Sequence, residues 1–301
     1  MLRILGLFVC LLLLAACGDD PAPRTPAVTD LHARLEPLFA RYPEATVAVA
    51  VRDPHTNTRY DFHAERLFHA ASTMKVPVMI EVYRQAEAGR FSLDDSLLVR
   101  NTFRSIVDGS TYRIENDSDD ALYRMLGRRM AIRDLVHRMI TVSSNLATNL
   151  LIDLVTADSV QATAERLGVR HMQVRRGVED LLAFRQGLNN TATAADLAVL
   201  FDALRRGAAV SPEADRAMID VLLDQQFGDL IPAGLPPGVR VAHKTGAITR
   251  IHHDAAIVYP ERGPAYVLVV LTEGIDDRAR SAELVAEVAR AVHQTLRPPT
   301  R

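Results

Sequence analysis

The apolar positions of this chain change their period as the chain proceeds. Over 31–42 they recur at helical spacing (Leu31, Leu35, Leu38, Phe39), and over 45–52 they switch to an alternating, β-branched run. Residues 53–57 read as a turn, and Thr58–Phe62 as the hairpin partner of that strand. Three more strands are predicted towards the other end, over 239–248, 254–259 and 265–272. The last is apolar throughout, as expected of a strand inside a sheet. Residues 281–295 close the chain at helical spacing. Between about 79 and 224 the patterns are almost all helical: 121–129, 132–139, Asn145–Val155, 159–167, 193–206 and Pro212–Leu223. Strands from both ends with helices between them predict an α+β fold of two lobes. Five antiparallel strands flanked by helices form one lobe (about 31–78 and 225–298), and an inserted all-helical lobe (about 79–224) forms the other. Sites commonly lie in the crevice between two such units.

The first residues follow a different rule. Arg3 is followed by an apolar run from Ile4 to Leu14 and by Leu14-Ala15-Ala16-Cys17, which reads as an export leader over 1–16. The cysteine at the cut resembles a bacterial lipoprotein signal, so Cys17 is expected to carry the lipid; an ordinary cleaved secretory leader is the alternative. Residues 17–30, with Pro21, Pro23 and Pro26, read as a tether. The expected location is the bacterial cell envelope, anchored by lipid and facing the periplasm. Gly18 in place of an aspartate after the cysteine favours the outer membrane. Cys10 and Cys17 are the two cysteines of the chain, which leaves the domain over 31–301 without a disulfide or a thiolate metal site. A net charge of −2 and no basic stripe with interleaved aromatics give no reason to expect a nucleic-acid partner.

Candidate chemistry begins at Ser72-Thr73-Met74-Lys75, just before Val76, Met79, Ile80 and Tyr83 recur at helical spacing. If a helix starts near Ser72, the hydroxyl and the amine lie one turn apart on one face, at the end where unpaired N–H groups favour negative charge. A serine needs a base to become a nucleophile, and a desolvated lysine can be that base. Val142-Ser143-Ser144-Asn145 precedes a helical pattern; Ser143 could simply cap it, and Asn145 and Asn149 could simply pack a loop. Lys244-Thr245-Gly246-Ala247 lies in a predicted strand, where a glycine permits close approach of a backbone or ligand and a lysine can meet a carboxylate. His252-His253-Asp254 suggests a triad, but no Gly-x-Ser-x-Gly surrounds any serine; both histidines read as strand residues, one inward and one outward. No His-Glu-x-x-His occurs, so neither a metal nor any other cofactor is expected.

Ser-x-x-Lys, then Ser-x-Asn about 70 residues on, then Lys-Thr-Gly about 100 further, resembles the serine penicillin-recognising enzymes and, by spacing, the class A β-lactamases. That resemblance implies an acyl-enzyme on Ser72, with Lys75 as proton acceptor and Ser143 passing a proton to the leaving nitrogen. It implies that Lys244 supports that step, that Asn145 binds the acyl side chain and that Thr245 faces a substrate carboxylate. Gly246 and Ala247 line the site, with the N–H groups of Ser72 and Ala247 as the oxyanion hole. The deacylating base is expected at Glu179, with Asp180 as competitor. The family pattern there is Glu-x-x-Leu-Asn, and Leu182 fits while Ala183 replaces the asparagine. Ser144 replaces the aspartate of Ser-Asp-Asn, and Asp254 stands where an arginine is expected, with Arg250 nearby. The resemblance implies a small-molecule β-lactam substrate and a monomer. The alternatives are an envelope hydrolase or DD-peptidase acting on peptidoglycan peptides or esters, and a catalytically silent lipoprotein that binds the cell wall.

Overall fold

A computed structural model describes residues 26–298. The leader over 1–16 and the lipidation site at Cys17 lie outside the described residues. Residues 26–30, expected to belong to the tether, are helical instead, within Pro26–Ala40. Proline is well tolerated at the first position of a helix, and Val28 extends the apolar stripe of Leu31 and Leu35 by one turn.

Five strands form one sheet in the order Thr58–Phe62, Thr46–Asp53, Tyr266–Glu273, Ile251–Tyr259, Arg240–Ile248, every neighbour antiparallel. Alternation assigns the two faces. Val47, Val49, Val51, Leu268 and Val270 pack against Leu31 and Leu35 and against Leu284, Val288 and Val292 of the closing helix Arg278–Leu296. Ala48, Ala50, Val267, Val269 and Leu271 face the opposite way, onto Leu197 and Phe201 of the helix Ala194–Arg205. Tyr266–Glu273 is buried on both faces, which is why its sequence is apolar without alternation.

The helix Lys75–Glu87 is the axis of the helical region. Val76, Val78, Met79, Ile80 and Val82 are all fully buried, as expected of a helix enclosed on every side. It packs against Ile132–Thr141, Asn145–Val155, Ala157–Arg166 and Pro212–Leu223. Two expectations for this region need correction. The helix predicted over 121–129 is a single turn, Asp120–Tyr123, ended before Gly127 turns left-handed at φ 80°; Arg129–Ala131 then pairs as a strand with Ser96–Leu98. The region also holds the hairpin of Phe103–Arg104 with Thr111–Tyr112, too short to leave a period in the sequence.

The strand predicted from 254 starts at Ile251, because Thr249 and Arg250 alone make the hairpin turn, with Arg250 at φ 60°. Neither residue belongs to the usual Gly/Asn turn vocabulary. The edge strand Arg240–Ile248 that this turn creates faces the start of the Lys75–Glu87 helix, and that junction holds the site.

Candidate active site

Ser72 lies in a single 3-10 turn, Ala71–Met74, that feeds directly into Lys75–Glu87. The turn is anchored on three sides. Ala70 N–H donates to the carbonyl of Asn190 at 2.9 Å, and Ala71 N–H donates to His69 Nδ1 at 3.1 Å. His253 spans the remaining gap: its Nδ1 accepts Thr272 N–H (3.2 Å) and its Nε2 donates to the His69 carbonyl (3.1 Å). Burial holds the His253 imidazole neutral, with its pKa lowered to about 3. Both histidines of the expected inward–outward pair are in fact buried, His253 beside the Ser72 turn and His252 on the opposite sheet face, where it is 4% exposed.

Gly246 lets the edge strand come close to this turn. A Cβ there would stand 3.1 Å from Ser72 N and from Thr73 Cγ2, and 3.2 Å from Ala71 Cβ. Ala247, next along the strand, therefore presents its backbone beside Ser72.

Four of the polar side chains expected from the motifs, Lys75, Ser143, Asn145 and Lys244, converge. Lys75 and Lys244 are both fully buried, and both donate to one hydroxyl, Ser143 Oγ, at 3.1 and 3.0 Å. Lys75 Nζ also donates to the Ser143 carbonyl (2.6 Å) and to Asn145 Oδ1 (2.9 Å), and Lys244 Nζ to the Thr245 carbonyl (3.0 Å). Burial lowers the pKa of Lys75 to about 7, with Asp117 and Glu179 opposing the shift. Lys244 is pushed well below its ordinary value by burial and then by the neighbouring Lys75 charge. An amine poised near neutrality can take a proton and return it. The Ser72 hydroxyl itself holds no hydrogen bond among the described residues, and sits half-buried one turn from Lys75. Catalytic contacts commonly tighten only once a substrate is bound.

Ser143 does not cap the following helix. Ser144 does, accepting Ala147 N–H, while Ser143 adopts φ 59°, which turns its carbonyl and hydroxyl together onto Lys75. Ala71 (φ 46°) and Glu179 (φ 59°) are also left-handed, so three such non-glycine residues stand at or next to proposed site positions. Conformations of this kind cost of the order of 1–3 kcal/mol each and persist where the surroundings hold them.

The two asparagines of the helix Asn145–Val155 divide their tasks. Asn145 turns to Lys75, and its Nδ2 donates to the Asn116 carbonyl (3.0 Å) and to Glu179 Oε1 (3.4 Å). Asn149 packs a loop, holding Val178 by both its N–H and its carbonyl (2.7 and 3.0 Å). That loop is closed at its neck by Arg176, which donates to the Leu188 and Gly177 carbonyls, and by Asn190, which accepts from Arg175 and Arg176. Its two acids have opposite fates. Asp180 is 1% exposed and its oxygens take Ser105 Oγ, Ile106 N–H and Ala183 N–H. Glu179 points to Asn145 and accepts Glu115 N–H at 2.8 Å; both acids line a cavity of ≈ 590 Å³ with Tyr112, Asn116 and Leu182.

Residues 30–296 match the family described as the β-lactamase enzyme family. The chain belongs to it. Among curated relatives, a β-lactamase of Bacillus licheniformis is 25% identical, the match covering 96% of this chain and 93% of that one. A β-lactamase of Streptomyces albus G is 26% identical over 90% and 86% of the two chains. Among solved structures, a β-lactamase from Sphaerobacter thermophilus superposes with a TM-score of 0.78 at 30% identity, covering 90% of this chain and 98% of that one. PBP-A superposes with a TM-score of 0.79 at 25% identity, over 91% and 98%.

The departures from the family pattern can be placed. Ala183 is fully buried, so nothing at that position offers a side-chain amide beside Glu179. Asp254 faces away from the helical region and pairs with His243 at 3.0 Å while accepting Ile231 N–H. Arg250 turns to the Gly274 carbonyl and to Asp276 at the hairpin tip. Asp117 and His69 carry no signal in the sequence, and His253, expected as a strand residue, is also a tie to the Ser72 turn. Asp117 sits within Glu115-Asn116-Asp117-Ser118-Asp119-Asp120, a polar run that reads only as a solvated loop.

Proposed function

We propose that this protein is a class A β-lactamase-like serine hydrolase that opens the β-lactam ring through an acyl-enzyme on Ser72. One observation carries the reading: two buried lysines share the hydroxyl of Ser143, and one of them, Lys75, stands one turn from Ser72 with its amine poised near neutrality. Neutral Lys75 takes the proton of Ser72 as its Oγ attacks the lactam carbonyl. The oxyanion that forms is met by the N–H groups of Ser72 and Ala247, donors of a kind worth about 10²–10³ in rate. Lys75, now cationic, donates to Ser143 Oγ, and the Ser143 proton passes to the lactam nitrogen as the C–N bond breaks. Lys244 stabilises the Ser143 oxygen while its proton leaves. Asn145 positions the acyl side chain and Thr245 the substrate carboxylate. Glu179 then draws a proton from a water as its oxygen attacks the ester carbonyl, and that proton passes to Ser72 Oγ as the acyl C–O bond breaks, releasing the product and restoring both Ser72 and the Glu179 carboxylate.

Asp180 has no part in this, since it is buried and turned to Ser105, Ile106 and Ala183, whereas Glu179 reaches Asn145, the partner of Lys75. The buried Ala183 favours a second reading in which deacylation is slow and the natural substrate is a peptidoglycan peptide or ester. Turnover of a chromogenic cephalosporin, with intact-mass analysis of Ser72→Ala and Glu179→Gln, separates the two. Hydrolysis by the wild type that is lost in both variants supports the lactamase. A lasting adduct without turnover in the wild type supports the peptidase, and no adduct with any acylating probe refutes both. We further propose that the mature protein is a monomer, lipidated at Cys17 and held on the periplasmic side of a bacterial envelope. Mass analysis of the mature N-terminus tests the lipid, and light scattering of the domain tests the monomer.

A further inference from the structure

Three consecutive residues, Asn116, Asp117 and Ser118, grip the segment that carries Ser143. The Asn116 carbonyl accepts Asn145 Nδ2, and Ser118 Oγ donates to the Val142 carbonyl. Asp117 makes the most contacts. Its Oδ1 accepts Asn145 N–H and its Oδ2 accepts Leu146 N–H, each at 2.8 Å; Ser144 Oγ (3.4 Å) and Tyr123 OH (3.3 Å) also donate to Oδ2. With Ser144 Oγ on Ala147 N–H, the first three N–H groups of the helix Asn145–Val155 are all taken. The carboxylate absent from position 144 is thus supplied from a different part of the chain. Asn145, whose N–H Asp117 holds, is also the residue whose Oδ1 holds Lys75.

We propose that Asp117 is a positioning residue for acylation: its carboxylate fixes the Ser143–Asn145 turn on Lys75 and stands one hydrogen-bonded residue, Asn145, away from the amine. The charged groups around Lys75 are Asp117 and Glu179, which favour its cationic form, and Lys244, its like-charged neighbour. Removing the Asp117 charge therefore makes Lys75 easier to deprotonate. The proposal rests on Lys75 being the base, but its central claim can be read without any substrate.

The chain contains two lysines, Lys75 and Lys244, so lysine labelled with carbon-13 at Cε reports on the site alone. In the wild type the Lys75 resonance is expected to titrate near pH 7. Asp117→Asn should lower that midpoint by about one pH unit, in the wild-type and Glu179→Gln backgrounds alike, whereas Asp117→Glu should keep it. Asp117→Ser, which keeps an acceptor but no charge, serves if the Asn variant does not fold. The acid limb of penicillin acylation, followed by intact mass, should move down with the resonance. A midpoint that stays or rises in the folded uncharged variants, with acylation slowed equally at every pH, makes Asp117 a helix cap only and overturns the proposal. Failure of the wild type to acylate defeats the hydrolase reading and leaves the NMR result standing.

Discussion

Gly246→Ala tests whether the nucleophile turn and the edge strand are held at a fixed separation. The new methyl would stand 3.1–3.2 Å from Ser72 N, Thr73 Cγ2 and Ala71 Cβ, short of the ~3.5 Å at which carbon contacts become favourable. Something must yield by a few tenths of an ångström. The strand is paired with Ile251–Tyr259 along its whole length, and the turn is tied to Asn190 and, through His69, to His253. The shift therefore falls on the gap between Ser72 N and Ala247 N, where the proposed oxyanion hole lies. Losing one such donor costs about 10²–10³ in rate, so a displaced one is expected to slow acylation roughly ten- to a hundredfold. Overpacking should cost about 1–3 kcal/mol of stability. Pre-steady-state acylation by a chromogenic cephalosporin measures the first quantity and urea denaturation the second. Thr73→Ser removes one of the three contacts while keeping the hydroxyl that donates to the Ala70 carbonyl, so the double variant should recover part of the rate. Acylation by Gly246→Ala within twofold of wild type, at unchanged stability, would refute the rigid junction.

Other outcomes follow from the same geometry. Acylation should fall about tenfold per pH unit below the Lys75 pKa of about 7, because the neutral amine is the proposed base and acid removes it; a rate independent of pH between 5 and 7 would assign the base elsewhere. Glu179→Gln should accumulate the acyl-enzyme on Ser72, visible by intact mass, whereas unchanged turnover would remove Glu179 from deacylation. Asp180→Ala strips an acceptor from three donors in a buried position, so it should cost about 3 kcal/mol in urea while acylation persists below the melting temperature. A loss of acylation at full stability would instead place Asp180 in the chemistry.

Much of this was legible in the sequence, for definite reasons. The five strands show because β-branched alternation survives wherever one face is solvated or packed differently from the other, and the central strand shows by its unbroken apolarity. Ser72, Lys75, Ser143 and Lys244 show because each sits in a short local pattern whose order along the chain is distinctive. What the sequence concealed is contact between distant segments that carry no period. Nothing local marks Asp117 as the acceptor for N–H groups nearly thirty residues on, or His253 as the tie between a strand and the nucleophile turn. Backbone conformation was equally hidden. Ser143 looked like a helix cap because serines cap helices, and only its left-handed φ, with Ser144 in the cap, turns it towards Lys75.

The site works against the stability of the fold that holds it. Lys75 ionises near pH 7 when folded but at about 10.4 when unfolded, so between these values the unfolded chain binds more protons. Folding stability therefore rises with pH across that window, and below about pH 7 the folded protein carries the whole penalty, about 5 kcal/mol at 1.36 kcal/mol per unit. Three left-handed residues add to it. The offset lies in the helix that begins at Lys75, where Val76, Val78, Met79, Ile80 and Val82 are fully buried, at about 1.5–3 kcal/mol for each large side chain. Sequence order alone joins the two: the apolar helix at the centre of the region starts with a fully buried lysine. An amine on a peripheral helix could escape to solvent by a small local opening and regain its ordinary proton affinity. On the central helix, exposing Lys75 means unpacking that apolar core, and this is what keeps the amine neutral enough to act as a base.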